Sequence, residues 1–334
     1  MVGADPTGFT ERTWGRVGQV RRPLVLLVTA LLVASLAACS GGEDDGGGDA
    51  APGTGGATSA PPTTEATTTT APPPPELPRG GRTLFPDHRV VAYYGNAESS
   101  ALGVLGEVPP EEAAARVDQA AAPFDRPDRP VLPAMELIVT VAQASPGADG
   151  DYSSTTPMDL VRRWHFAARD AGMLLILDFQ PGRSDFLPQV QQFEELIREP
   201  DVGVALDSEW HMAPDEVPGQ VIGSVDAAQV NEVSAWLADI VAEEDLPEKV
   251  FLLHQFTESM ITNRDQVVDR PGLATVFHID GFGGQEIKVR KYAALQVEPP
   301  FHNALKLFYD EDIDIFTPDQ VLGIDPDIDL VTYQ

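Results

Sequence analysis

Cysteine is almost absent. Cys39 is the only one in 334 residues, so no disulfide framework can be drawn. Positive charge is scarce: 22 Lys and Arg stand against 52 Asp and Glu, a formal charge of −30. That balance excludes nucleic acid as a partner and excludes lying flat on anionic lipid. No apolar run reaches the ~20 residues that cross a bilayer. The run over residues 24–36, broken only by Thr29 and Ser35, is too short. Also missing are a Gly-x-Ser-x-Gly elbow, His-x-His or His-Glu-x-x-His spacing, and a phosphate-binding glycine loop. These absences remove serine hydrolases, compact histidine metal motifs and dinucleotide folds from first consideration.

What is present begins with a sorting signal. Arg12, Arg16, Arg21 and Arg22 precede the apolar run, and Leu36-Ala37-Ala38-Cys39 follows it. A run of this length has the size of a signal-peptide core. The tetrad resembles the lipobox of bacterial lipoproteins, which implies cleavage before Cys39 and a lipid on its sulfur. The expected partner is then a membrane, reached through that lipid, on the outer face of the cytoplasmic membrane. Residues 1–38 are read as the signal peptide and 39–84 as lipidated cysteine plus tether. Residues 40–82 hold no aromatic side chain and are rich in Gly, Thr and Pro, a composition that cannot bury a core.

Residues 85–334 have the length of one (β/α)₈ TIM barrel. Eight short apolar runs lie at 89–94, 131–142, 173–180, 202–209, 250–256, 274–280, 304–309 and 328–334. Continuous apolar runs mark parallel strands buried on both faces. Helical patterns separate several of them. Pro157 opens one that stops at Gly172, Asp185 precedes another, and Asp226 with Gln229 suggests a capping box. An α/β TIM barrel is the expected fold.

In such a barrel the site lies at the C-terminal ends of the strands. These ends are polar: Tyr93 and Asn96, Asp178 and Gln180, Asp207 and Glu209, His254 and Gln255, His278 and Asp280, Tyr309, and Tyr333. On strand two, Glu136 lies inside the apolar run. Asp207 and Glu209, two apart on a strand, are expected to share a face, so that one carboxyl stays protonated. Trp210 and Phe179 offer an apolar wall, and Arg183 could clamp an acidic ligand. The segment Ala205-Leu206-Asp207-Ser208-Glu209-Trp210 resembles the Asp-x-Glu strand of family 25 lysozymes and the end of the family 18 chitinase strand. That resemblance implies Glu209 as general acid and Asp207 as its support. The chitinase strand's second aspartate is replaced by Ala205. Across the barrel the chain looks like uncharacterised bacterial surface lipoproteins.

The expectation is therefore a membrane-anchored, glycoside-hydrolase-like lipoprotein acting on polysaccharide. Asp178 or Asp280 would serve as base or nucleophile, with Tyr93, Asn96, Gln180, Arg183, Trp210, His254, Gln255, His278, Tyr309 and Tyr333 binding substrate. No cofactor and no metal are expected, because each histidine stands alone on its strand. The alternatives are a non-catalytic glycan-binding lipoprotein and, third, a metal-dependent hydrolase built on His254, His278 and the aspartates.

Overall fold

A computed structural model describes residues 73–334. Cys39, the signal segment and nearly all of the expected tether lie outside them. Eight strands form the ring: β1 (Arg89–Asn96), β2 (Val131–Ala142), β3 (Leu174–Phe179), β4 (Val202–Leu206), β5 (Lys249–Gln255), β6 (Leu273–Ile279), β7 (His302–Leu307) and β8 (Leu330–Tyr333). Each is parallel to its neighbours, and β8 pairs with β1 to close the ring. All eight expected strands are there, and the fold is a (β/α)₈ barrel.

Alternation along each strand sorts the side chains. One set points inward. Val90, Ala92, Leu132, Ala134, Leu174, Ile176, Ala205, Val250, Leu252, Ala274, Val276, Ala304 and Leu330 form one buried cluster, together with Leu77, Leu84 and Phe85 from the segment before β1. The opposite set, including Val91, Met135, Leu175, Val204, Phe251 and Leu305, packs outward against helices. Because both faces are buried, the polar residues of the lower halves are few and sit mainly at the strand starts: Arg89, Lys249, His302 and Asn303, with Thr275 within β6.

The helices follow from local sequence. Helix α1 (Pro110–Ala121) starts with proline in its first turn and Glu111 and Glu112 beside it, where the helix dipole favours negative charge. Helix α2 (Met158–Asp170) buries Val161, Trp164 and Ala168 against the barrel. Burial of the Trp164 ring alone contributes roughly 2–3 kcal/mol. The pattern after Asp185 forms two short pieces, α3 (Phe186–Gln191) and α4 (Glu194–Ile197). Helix α5 (Ala227–Glu243) is capped by the Asp226 carboxylate, which accepts from the Ala228 amide and from Thr262 and Asn263. The expected capping box is not made, since Gln229 donates to Asp185 instead. After β5 come 3-10 turns and a two-residue strand, Ile261–Thr262, rather than a helix. Helices α6 (Gln285–Leu295) and α7 (Pro318–Leu322) follow β6 and β7. Among the described residues no helix is long and apolar enough to cross a membrane.

Candidate active site

Two residues beyond the apolar layer, every strand turns a polar side chain into the barrel. Tyr94 follows Ala92, Glu136 follows Ala134, Asp178 follows Ile176 and Asp207 follows Ala205. His254 follows Leu252, His278 follows Val276, Lys306 follows Ala304 and Thr332 follows Leu330. All eight are buried. One pleat separates a hydrocarbon layer from a ring of ionisable groups, with Asp280 and Glu209 just above it.

His254 is the centre of the ring. Its Nε2–H donates to Glu136 Oε1 at 2.8 Å and its Nδ1–H to Asp280 Oδ2 at 2.8 Å. Asp178 Oδ1 lies 3.7 Å from Nε2. Burial opposes charge on the imidazole, but Asp207 and Glu136 overcome it and hold the His254 pKa well above the ordinary histidine value. An imidazolium between two carboxylates results. Burial pushes Glu136 and Asp280 up, yet the His254 charge and its hydrogen bonds bring both down to about 2. Thr332 donates to the second Glu136 oxygen at 3.0 Å, which completes that carboxylate.

The neighbouring carboxyl groups behave oppositely. Burial, then the proximity of Asp207, raises Asp178 well above the usual carboxylate range. Burial lifts Asp207 to about 6, with Asp280 pushing the same way against the His254 charge. Glu209, at the rim, is raised well above its usual value by burial, Asp207 and Asp280. His278, its ring centroid 4.6 Å from that of His254, is pressed down to about 3 by burial and by the His254 charge. The Tyr94 hydroxyl donates to Asp178 Oδ2 at 3.1 Å, and Gln180 Nε2 donates to the Tyr94 oxygen at 3.2 Å and faces Asp207 Oδ2 at 3.4 Å.

Several polar atoms of this centre have no partner: Asp178 Oδ1, Asp207 Oδ1, Asp280 Oδ1 and both nitrogens of His278. Ligand atoms of Glu136, His254 and His278 lie within 4.8 Å of one another, as do those of Asp207, His254 and Asp280. His254 itself is no ligand in this arrangement. An ion cannot fit between a nitrogen and an oxygen 2.8 Å apart, so His254 aims the carboxylates instead. Without His254 neither group keeps three ligands, and the open atoms, three carboxylate oxygens and one imidazole, are donor types that hard or borderline divalent cations take.

The expected site residues divide into three groups. Asp178, Gln180, Asp207, His254, His278 and Asp280 converge, with Glu209 at their edge. Tyr93, Tyr309 and Tyr333 gather elsewhere. Tyr94 and Thr332 point inward, so Tyr93 and Tyr333 point outward, where Tyr309 stacks on Tyr333 at 5.4 Å and meets the Tyr93 hydroxyl at 3.3 Å. Phe179 also turns outward, edge-on to Phe193. These rings make no sugar wall inside the mouth.

The third group is held by the backbone. Asn96 donates to the Ile138 carbonyl and accepts from the Glu98 amide. Gln255 donates to the Thr257 carbonyl. Arg183 donates to the Glu216 carbonyl with its guanidinium 4.1 Å over the Tyr152 ring, and it pairs with neither Asp207 nor Glu209. Trp210 is half-buried in the turn after β4, where its carbonyl accepts from Gly182. Sequence reasoning passed over Tyr94, Lys306 and Thr332 and gave Glu136 no role. The signal was available, since each follows an inward apolar residue by two.

Asp207 and Glu209 do not share a strand face. Strand β4 ends at Leu206, and Ser208–Trp210 is a 3-10 turn. Asp280, expected as a free base or nucleophile, is bound to the His254 imidazolium. No protein-family model and no curated protein matches the chain. Among solved structures it is similar to an oxaloacetate acetylhydrolase at 11% identity and a TM-score of 0.29, covering 74% of this chain and 68% of that one. A second oxaloacetate acetylhydrolase structure, in complex with the inhibitor 3,3-difluorooxalacetate, matches at 10% identity and a TM-score of 0.22, covering 74% and 75%. Neither is a glycoside hydrolase, and likeness this loose carries no chemistry across. The expectation of a glycoside hydrolase is corrected by the geometry: Asp280 is tied to His254 and Glu209 leaves the strand that carries Asp207, so the expected carboxyl pair is not made.

Proposed function

We propose that the barrel mouth is a divalent-cation centre that carries out acid–base chemistry on a small, oxygen-rich substrate. One observation carries this reading: five unpartnered polar atoms, on Asp178, Asp207, Asp280 and His278, are buried around the His254 imidazolium. Each buried group without a partner costs ~1–3 kcal/mol. A set of oxygens with one imidazole is short of a positive partner. Asp207, Asp280, Asp178 and His278 are the side chains that would hold the ion. When bound, it would supply Lewis acidity and charge neutralisation at the mouth.

The remaining steps belong to the chain. His254 and Thr332 lock Glu136, while His254 orients Asp280 so that its free oxygen faces inward. Tyr94 and Gln180 hold Asp178 and Asp207. Glu209 sits at the rim with its proton retained by burial and by its acidic neighbours, which makes it the donor placed to reach a bound substrate.

Equilibrium dialysis of chelator-treated protein against Mn²⁺ tests the proposal. One ion per chain should bind, and Asp207→Asn and His278→Gln should each weaken binding roughly tenfold or more. Wild type that binds no better than these variants would reject it. Location is a separate proposal. The basic, apolar and small-residue succession ending at Cys39 supports export and lipidation. Palmitate incorporation that survives Cys39→Ser would remove it.

A further inference from the structure

The proposed centre is rich in carboxyl groups, yet two lysines beside it pair with none of them. Lys306 is buried at 3% exposure, and its ammonium lies 3.3 Å from the centre of the Tyr94 ring. Among the described residues it has no ion pair within 4.0 Å and no hydrogen bond. It is nonetheless close enough to pull down Glu136, Asp178, Asp207, Glu209 and Asp280 together. Lys306 follows the inward Ala304 by two and so points into the barrel at the level of these carboxyl groups.

Lys291 comes from α6 and crosses the chain at Gly281. A Cβ on Gly281 would stand 1.8 Å from Lys291 Nζ, so the lysine occupies space that only glycine leaves open. Its amine rests 5.2 Å from the Phe256 ring and feels Asp280 and Glu209 without pairing with either. Neither amine is held by a direct ion pair, although carboxyl groups lie near both, so each keeps N–H donors for a bound acceptor.

We infer that Lys306 and Lys291 form an oxyanion subsite, and that the substrate of this mouth carries a carboxylate or phosphate group which they receive. The inference deepens the proposed function by naming the substrate class, but it stands on the lysines and not on the cation.

Calorimetric titration of the chelator-treated, metal-free protein with malonate, and in parallel with inorganic phosphate, tests it. At least one anion should bind saturably, and the arm that binds identifies which oxyanion the subsite takes. Lys306→Met should weaken that binding roughly tenfold or more, and Lys291→Met somewhat less. Malonamide, the neutral counterpart of malonate, should not compete. Failure of both anions to bind, equal binding by malonamide, or full binding in both lysine variants would overturn the inference. Lys291→Met, half-exposed on a helix, keeps the test available if Lys306→Met fails to fold. Mn²⁺ affinity of both variants is measured separately and should be retained. Anion binding without Mn²⁺ binding would sink the cation reading alone, and the reverse would sink this one alone.

Discussion

At the N-terminal end of the barrel, the buried charged groups all have hydrogen-bond partners. Arg89 donates to both Asp327 oxygens at 2.7 Å, Arg129 bridges Asp327 and Asp329, and His302 meets Asp329 at 3.1 Å. Asp201 takes hydrogen bonds from His165 at 3.0 Å and Arg169 at 2.8 Å. Lys249 donates to the Glu199 and Val202 carbonyls at 2.6 and 2.8 Å. None of these groups keeps a buried atom without a partner. At the C-terminal end the same eight strands place Asp178, Asp207, Asp280 and His278, and each keeps at least one. The first set is satisfied by the protein itself, whereas the second keeps open atoms that the proposed cation would engage.

Substitution should separate the two ends most sharply. Asp201→Asn breaks a buried network and leaves Arg169 and His165 poorly matched, so urea unfolding should show a loss of ~3 kcal/mol. Asp178→Asn removes a carboxyl already driven toward its neutral form, and it should change stability by less than ~1 kcal/mol while weakening Mn²⁺ binding. Equal losses at both positions would erase the distinction.

Ligand linkage comes next. Mn²⁺ at a hundredfold excess over its dissociation constant should raise wild-type stability by about 2.7 kcal/mol. The same gain is expected in Asp201→Asn and not in Asp207→Asn, read from paired unfolding curves with and without chelator.

A pH series sharpens the N-terminal half. Burial lowers the Lys249 pKa from 10.5 to about 7 in the folded chain. Above that value the folded protein has shed a proton that the unfolded chain still holds, so stability rises with pH toward about 10.5. The gain between about pH 7 and 8 is about 1 kcal/mol, and Lys249→Met should lack it. Asp201 has the same sign in a more acidic window. Its pKa is depressed by Arg169 and His165 against burial, so its stabilisation is present above the ordinary aspartate value and is lost as pH falls below it.

The smallest expected effect on stability is at Gly281. In Gly281→Ala the new methyl meets the movable end of Lys291, so stability should fall by less than ~0.5 kcal/mol. Displacing the amine should still weaken oxyanion binding, measured by the same titration.

The fold was legible because strands buried on both faces read as apolar runs, and Val202–Leu206 or Leu273–Ile279 can hardly be anything else. The convergence of Asp178, Asp207, His254, His278 and Asp280 was half legible, since strand ends mark the mouth. Pleat parity decides the rest. Tyr94 and not Tyr93 points inward, and counting by twos from Ala92 would have shown it. Glu136 lay inside an apolar run and Lys306 was passed over, although a charge in the middle of a barrel strand marks a polar layer. Two features could not be read ahead. The turn at Ser208–Trp210 takes Glu209 off the strand, and the two 2.8 Å bonds of His254 depend on strands far apart in sequence.

The most direct test is a crystal structure of the chelator-treated protein soaked in Mn²⁺, with data collected for anomalous scattering. The account predicts one strong peak inside the mouth, in coordination contact with Asp207, Asp280 and His278 and not with His254. An empty mouth at saturating Mn²⁺, or a peak only at surface carboxylates, would contradict it.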